Sequence, residues 1–190
     1  MLDAFLLSFA VIFIAELGDK SQLMAMTFAT RYRFWTVIAA ITAATAVVHL
    51  ASVAIGSIVG LALPTKPINI IAGIAFIGFG IWTLRGDGLS DEEESKAERS
   101  TTSAFFAVSI AFFLAELGDK TMLATITLAT NNGWFGTWVG STLGMVAADA
   151  LAIGVGAILG KALPEKVIKY GAAILFFLFG FWLIYEGITS

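Results

Sequence analysis

The sequence contains no cysteine, only three prolines and one histidine, and 13% of its 190 residues are charged. The lack of cysteine excludes disulfides, thiolate metal sites and cysteine nucleophiles. Soluble domains carry about 25% charged residues, so this chain has too little charge for a soluble surface. A nucleic-acid binder needs a basic patch, and the net charge here is -3. With 58% hydrophobic residues, the composition indicates an integral membrane protein.

Six apolar runs are long enough to cross a bilayer as helices, for which about 20 residues are needed. The longest runs are too long and too uniformly apolar for the alternating strands of a barrel. The first run lacks a basic leader and a small-residue cleavage site, so we expect a mature helix rather than a signal peptide. The runs cover residues 4–30, 34–63, 67–84, 104–130, 134–163 and 167–185.

The second half of the chain repeats the first at an offset of 100 residues, without a gap. The segment Ala15–Lys20 recurs as Ala115–Lys120. Because each copy holds three spans, an odd number, the second copy enters the membrane upside down relative to the first. The sequence therefore predicts an all-α integral membrane protein with six transmembrane helices. They form two inverted three-helix repeats, at 1–84 and 104–190, joined by an acidic linker at 85–103.

Basic residues indicate the orientation of the spans. Eight of the nine Lys and Arg residues outside the spans fall on the side of the linker in the six-helix arrangement. The positive-inside rule makes this side cytoplasmic and places both termini outside. Ser90 and Glu93 in the linker have the spacing of a capping box. A solvated connector is the simplest interpretation of the acidic run at 91–94.

Charged side chains lie in the middle of the first and fourth spans, where each ionised carboxylate costs roughly 3 kcal/mol. Residues three and four positions apart share one face of a helix, so each group is predicted to form one charged stripe. Two-fold symmetry would make the two stripes face each other. If all are ionised, their charges sum to -2, which one divalent cation would neutralise. The residues are Glu16, Asp19 and Lys20 in the first span and Glu116, Asp119 and Lys120 in the fourth.

Carboxylate oxygens are hard ligands that suit Mg²⁺, Ca²⁺ and Mn²⁺. Carboxylates held close together repel one another, so protons and metal compete for the same oxygens. Lys20 and Lys120 offer no lone pair when charged and are predicted to act as counter-charges. Ser21 and Thr121 can supply a hydroxyl oxygen or an interhelical contact. A glycine between the two acids of each copy can let the backbone approach its partner. Alternatively, it can break the helix there and free backbone carbonyls as ligands.

Two further ionisable residues lie deep in spans and occupy equivalent positions in the two repeats. Asp149 in the fifth span is a candidate ligand, because an acid inside the membrane is functional by default. His49 in the second span is either a packed core residue, a metal ligand or a proton acceptor. An imidazole ligand would favour Mn²⁺ over Ca²⁺. Nucleotide-binding and hydrolase motifs are missing from the sequence, so we expect no catalytic residue and no bound cofactor.

The duplicated Glu-Leu-Gly-Asp-Lys-Ser/Thr motif, at 16–21 and 116–121, resembles the Glu-x-Gly-Asp-Lys/Arg-Ser/Thr signature of the Gdt/MneA family. This family belongs to the calcium:cation antiporter-2 superfamily. The resemblance covers the whole chain and implies export of Mn²⁺ in bacteria, or of Mn²⁺ or Ca²⁺ against H⁺ in organelles. No targeting extension precedes the first span, so the closer match is the bacterial type, in the inner (plasma) membrane. The resemblance implies metal binding by the acids Glu16, Asp19, Glu116 and Asp119.

The leading hypothesis is a secondary transporter that exports Mn²⁺ from the cytoplasm in exchange for H⁺ through a site between the repeats. A Ca²⁺/H⁺ antiporter is the alternative, and it would be insensitive to removal of His49. An intramembrane metal-dependent hydrolase is a third hypothesis, which the lack of a second histidine weakens. The expected partners are the metal ion, protons and the lipid bilayer, and the chain functions as a monomer or a homodimer.

Overall fold

The computed structural model describes residues 1–62, 65–85, 104–159 and 165–189. Within these ranges the chain forms eight α-helices and no strand, as the all-α prediction requires. The predicted capping box at Ser90 lies outside the described residues. The helices are α1 (Leu2–Glu16), α2 (Lys20–Arg31), α3 (Phe34–Ala62), α4 (Thr65–Arg85), α5 (Ala104–Glu116), α6 (Lys120–Asn131), α7 (Trp134–Leu159) and α8 (Glu165–Thr189).

Two of the described helices are long and apolar enough to cross a membrane. They contain the stretches Phe34–Leu61 of α3 and Trp134–Ala157 of α7. Shorter apolar stretches occupy Lys66–Ile81, Ala104–Glu116 and Phe176–Thr189. The second half of the chain thus repeats the helix order of the first, with helices at nearly the same offset.

The first run of each repeat forms two helices instead of the single helix expected from its length. Residues 17–19 separate α1 from α2, and residues 117–119 separate α5 from α6. Gly18 has a φ of 76° and Gly118 a φ of 79°, in the left-handed region that only glycine adopts freely. The single helices predicted over 4–30 and 104–130 are therefore corrected to broken helices. Of the two roles proposed for the glycines, the structure shows the helix break.

The helices of one repeat pack mainly against helices of the other. The most extensive contacts join α4 to α8, α1 to α7 and α3 to α6, with further contacts of α3 to α5 and α7. All of these pairs combine one helix from each half of the chain. The halves are therefore interleaved, and a surface between them runs through the whole molecule.

The equivalent helices α4 and α8 cross through glycines. A Cβ added to Gly73 would lie 2.6 Å from the carbonyl oxygen of Gly180, and one added to Gly187 would lie 3.0 Å from that of Lys66. Later residues of α4 therefore contact earlier residues of α8, which means that the two helices run antiparallel. Glycine permits this close approach because it presents no side chain at the crossing.

Helix α1 runs beside α7 in the same direction. A Cβ added to Gly136 would lie 2.6 Å from the carbonyl oxygen of Met1, and one added to Gly144 would lie 2.6 Å from that of Phe9. The glycines of α3 meet α6 in the same parallel order. Helix α7 therefore holds α1 in place. Because α7 belongs to the other repeat, the end of α1 at the first break is fixed by contacts with that repeat.

We expect Gly144→Ala to lower the free energy of unfolding by about 1–3 kcal/mol, because the added methyl group overpacks the α1–α7 contact. The backbone of Phe9 has to move to make room. Gly154→Ala on the same helix is the matched control, since a Cβ there has no neighbour within 4 Å. Thermal unfolding of both variants in detergent measures the difference. Equal stability of the two variants would contradict the close contact.

Two apolar clusters adjoin the duplicated motif, one beside each copy. The first apolar cluster lies on α2, α3, α5 and α7 and includes the residue before Glu116. The second lies on α1, α4, α6, α7 and α8 and includes the residue before Glu16. Apolar side chains therefore flank both copies of the motif. The first cluster includes Met24, Phe28, Ile41, Phe112 and Ala115, and the second includes Ile12, Ala15, Phe76, Leu128 and Leu183.

Candidate metal centre

The two helix breaks hold the acids of the duplicated motif at the buried centre. Glu16 ends α1 and Asp19 precedes α2, while Glu116 and Asp119 occupy the same positions at the second break. All four residues are at most 3% exposed. The backbone N–H of each aspartate donates to the carbonyl of its glutamate, at 3.1 Å in the first break and 3.2 Å in the second. Each break is therefore a tight turn that presents two acids.

Lysines pair with acids across the two repeats. Lys120 Nζ lies 2.9 Å from Asp19 Oδ1, and both side chains are at most 3% exposed. Lys20 Nζ lies 3.5 Å from Asp119 Oδ1, in a pair whose lysine is 19% exposed. The prediction of one charged stripe per helix is wrong, because the chain turns at the glycine between the two acids. The lysines act instead as counter-charges for the opposite repeat.

Three further carboxylates surround these pairs. Glu16 interacts electrostatically with Glu116, Asp19 and Asp149, and Asp149 also interacts with Asp19. The hydroxyl of Thr121 donates to Glu116 Oε2 at 2.7 Å. Among the described residues, both carboxylate oxygens of Glu16 and of Asp149 are buried without a hydrogen-bond donor. Buried charge without a partner is costly. A bound cation or proton would therefore stabilise these carboxylates most.

All the residues predicted for the site lie in the buried interior except Lys20, which is partly buried. Ser21 Oγ is buried and has no hydrogen-bond partner in the described part of the chain, unlike Thr121 at the equivalent position. Within the described residues, no three His, Asp or Glu side chains are arranged to hold a metal ion. In this conformation the lysines, rather than a preformed set of ligands, balance the charge of the two aspartates.

The amide of Gln22 joins the first break to α7 beside Asp149. Its Oε1 accepts a hydrogen bond from the backbone N–H of Gly18 at 2.8 Å, and its Nε2 donates to the carbonyl of Ala148 at 2.9 Å. The second break has Met122 at the equivalent position, whose sulfur accepts from its glycine at 3.2 Å. Sequence reasoning missed Gln22. The sequence does carry a signal for it, because Gln22 is polar whereas the equivalent residue of the other repeat, Met122, is apolar.

His49 lies on α3 at the level of the second break. Towards one end of α3, the carbonyl of Ala40 accepts from Ser109 of α5, at 3.2 Å. Towards the other end, Gly56 packs on Ile126 of α6, so position 49 falls beside the turn that separates α5 from α6. The ring is fully buried, and neither nitrogen has a hydrogen-bond partner among the described residues. The structure thus brings His49 near the centre but not into the network of paired acids.

Acids that are buried at helix breaks, between two repeated halves of an apolar chain, are typical of a secondary transporter of cations. Residues 4–91 and 104–190 each match the family model described as "Divalent cation/proton antiporter GDT1". The chain belongs to this family of membrane antiporters. It is therefore a transporter and not an enzyme, and the hydrolase hypothesis is wrong.

Similar proteins occur in bacteria and in chloroplasts. The chain is 35% identical to the "Putative manganese exporter" of Vibrio cholerae, across 90% of this chain and 86% of that protein. It is 31% identical to the GDT1-like protein sll0615 of Synechocystis, across 94% of this chain and 95% of the relative. Protein PAM71, chloroplastic, of Arabidopsis thaliana is 31% identical across 98% of this chain but only 58% of its own length. No solved structure matches the chain.

Proposed function

We propose that the protein exports Mn²⁺ from the cytoplasm in exchange for H⁺, through a carboxylate site between its two repeats. The observation that carries the proposal is the pair of crossed contacts, Lys120 to Asp19 and Lys20 to Asp119. They lie beside glutamate and aspartate oxygens that have no donor among the described residues. The name of the Vibrio cholerae relative, which is 35% identical, supports Mn²⁺ as the substrate.

The proposed architecture is six membrane crossings in two inverted repeats, with α1–α2 and α5–α6 as broken crossings. The antiparallel crossing of α4 and α8 supports the inversion. Because these two helices are equivalent in the repeat, a two-fold axis that relates them lies perpendicular to both, and hence in the membrane plane. Positive-inside asymmetry supports a cytoplasmic linker at 85–103 and outside termini, in the plasma membrane of a bacterium.

The crossed pairs suggest how the site alternates between its ligands. A divalent cation that reaches Asp19 and Asp119 replaces two ammonium groups, and the lysines withdraw. Glu16, Glu116 and Asp149 supply further oxygens, which are hard ligands for Mn²⁺ or Ca²⁺. When the cation leaves, protons and the two lysines neutralise the same carboxylates. Rocking of one repeat against the other then exposes the centre to each side in turn.

The position of His49 is compatible with two substrates, Mn²⁺ and Ca²⁺. Its level beside the second break makes the imidazole a candidate ligand, which favours Mn²⁺. Among the described residues, however, His49 takes no part in the hydrogen bonds and ion pairs of the acids. This favours a site made of oxygen ligands alone. Such a site is that of a Ca²⁺/H⁺ antiporter, and this remains the second candidate function.

We expect purified protein in liposomes to take up Mn²⁺ while protons move in the opposite direction. His49→Gln should lower the ratio of Mn²⁺ flux to Ca²⁺ flux, because it removes an imidazole that Ca²⁺ does not need. Ser52→Ala, one turn further along α3, is the matched control. Among the described residues, its buried hydroxyl donates only to the carbonyl of Val48, in its own helix. Metal-sensitive and pH-sensitive dyes inside the liposomes measure both fluxes.

Each result separates the hypotheses. Mn²⁺ uptake without proton movement contradicts exchange. An unchanged Mn²⁺ to Ca²⁺ ratio in His49→Gln removes the histidine from the ligands and favours the Ca²⁺/H⁺ antiporter. Folded protein that transports neither ion contradicts the proposed substrate class.

A further inference from the structure

A cavity of about 500 Å³ lies at one end of the molecule, between α4, α6 and α8. Polar side chains line its walls, among them Asn69, Thr127, Asn131 and Glu186. It opens near the start of α4, whereas the linker follows Arg85 at the other end of that helix. A helix of this length extends about 30 Å, so the cavity lies on the face away from the linker.

The lining of the cavity suits water better than lipid. Asn131 Nδ2 donates to Asn69 Oδ1 at 2.5 Å and joins the two repeats across the cavity. Hydrocarbon would leave the remaining amide and carboxylate groups without partners, whereas water satisfies them. At about 30 Å³ per molecule, a volume of about 500 Å³ holds about 17 waters. That is enough for a divalent cation with a full hydration shell.

The floor of the cavity belongs to the second apolar cluster. Phe76, Leu128 and Leu183 belong both to the lining and to that cluster, whose member Ala15 precedes Glu16. On α6, Thr127 of the lining lies six residues beyond Thr121, or about 9 Å along the helix axis. A thin apolar layer therefore separates the cavity from the candidate metal centre.

Two lining positions on α6 have aromatic equivalents in the first repeat. Phe28 corresponds to Leu128 and Tyr32 to Asn132. The ring of Phe28 lies 6.2 Å from that of Tyr32 and 6.4 Å from that of Phe112, centre to centre. Phe28 and Phe112 are completely buried in the first apolar cluster. Among the described residues the two sides of the two-fold axis therefore differ, with a polar cavity on one side and packed rings on the other.

We propose that this cavity is the water-filled antechamber of the ion path, through which the exported divalent cation leaves, hydrated, on the face away from the linker. Glu186 attracts the cation, and Phe28, Tyr32 and Phe112 close the path towards the linker face. This inference rests on the proposed function, because it assigns the cavity to the route of the same substrate. The conformation described here is the one open away from the linker.

The absence of cysteine makes the antechamber directly testable by single-cysteine labelling. Thr127→Cys in sealed vesicles should react quickly with a water-soluble, membrane-impermeant maleimide added to the face away from the linker. Thr27→Cys, the equivalent position beside the aromatic rings, is the matched control and should react slowly from either face. Ser95→Cys in the linker marks which face is which. Labelling needs no transport, so its result does not depend on whether Mn²⁺ is the substrate.

A second measurement asks whether the cavity lies on the ion path. A positively charged thiol reagent on Thr127→Cys should lower Mn²⁺ flux several-fold more than a negatively charged reagent of the same size, because it repels the cation. The proposal is overturned if Thr127→Cys reacts from the linker face, from neither face, or only with a lipid-soluble maleimide. Fast reaction of Thr27→Cys from the linker face overturns the aromatic closure. Equal effects of the two reagents on flux remove the cavity from the path.

Discussion

Asp119→Asn is expected to reduce Mn²⁺-driven proton movement on the order of 100-fold, the upper range for losing a group that supports a bound metal. Asparagine has the shape of aspartate but brings no charge. It therefore keeps the turn between α5 and α6 and removes one of the two carboxylates that hold the crossed lysines. Fluorescence of a pH reporter inside liposomes, after addition of Mn²⁺, measures the loss.

Asp3→Asn provides the matched control for this loss. Asp3 lies in the first turn of α1 and is exposed, so its replacement changes the net charge equally without touching the centre. It should transport like the unaltered protein. Asp19→Asn should be as inactive as Asp119→Asn, because the two aspartates occupy equivalent positions at the breaks. Undiminished transport by either centre variant would remove that aspartate from the proposed site.

Lys120→Gln is expected to destabilise the metal-free protein by about 3–5 kcal/mol, the usual cost of removing one partner from a buried ion pair. Asp19, its partner at 2.9 Å, is completely buried and would lose this ion pair. Lys20→Gln should cost less, because the Lys20–Asp119 pair is longer and its lysine is 19% exposed. Thermal unfolding in detergent without metal gives the comparison.

Adding Mn²⁺ should raise the unfolding temperature of Lys120→Gln more than that of the unaltered protein, since the cation then replaces the missing ammonium group. The double variant Asp19→Asn, Lys120→Gln is the control. It should be more stable without metal than Lys120→Gln alone, because neither partner is left charged. Equal destabilisation by the two lysine variants, or no added stabilisation by Mn²⁺, would contradict the counter-charge role.

Much of the candidate site could be predicted from the sequence because its signals are local. Scarce charge and long apolar runs predict a membrane protein, and a gapless repeat at an offset of 100 locates two equivalent motifs. The cost of acids inside a membrane singles out Glu16, Asp19 and Asp149 without any knowledge of the fold. The helix break was one of two roles that the sequence allowed for the glycines, and their left-handed backbone in the structure decides between them.

The pairing of the charges could not be predicted from the sequence. Spacing along a helix predicts neighbours only while the helix continues, and the turn at Gly18 separates Glu16 from Lys20 onto two helices. Once the helix breaks, the partner of each lysine depends on which helices of the other repeat lie opposite. The sequence by itself determined the membrane class, the duplication and the acids. Only the tertiary structure decided that Lys120 meets Asp19, since this contact arises from the interleaved packing of the two halves.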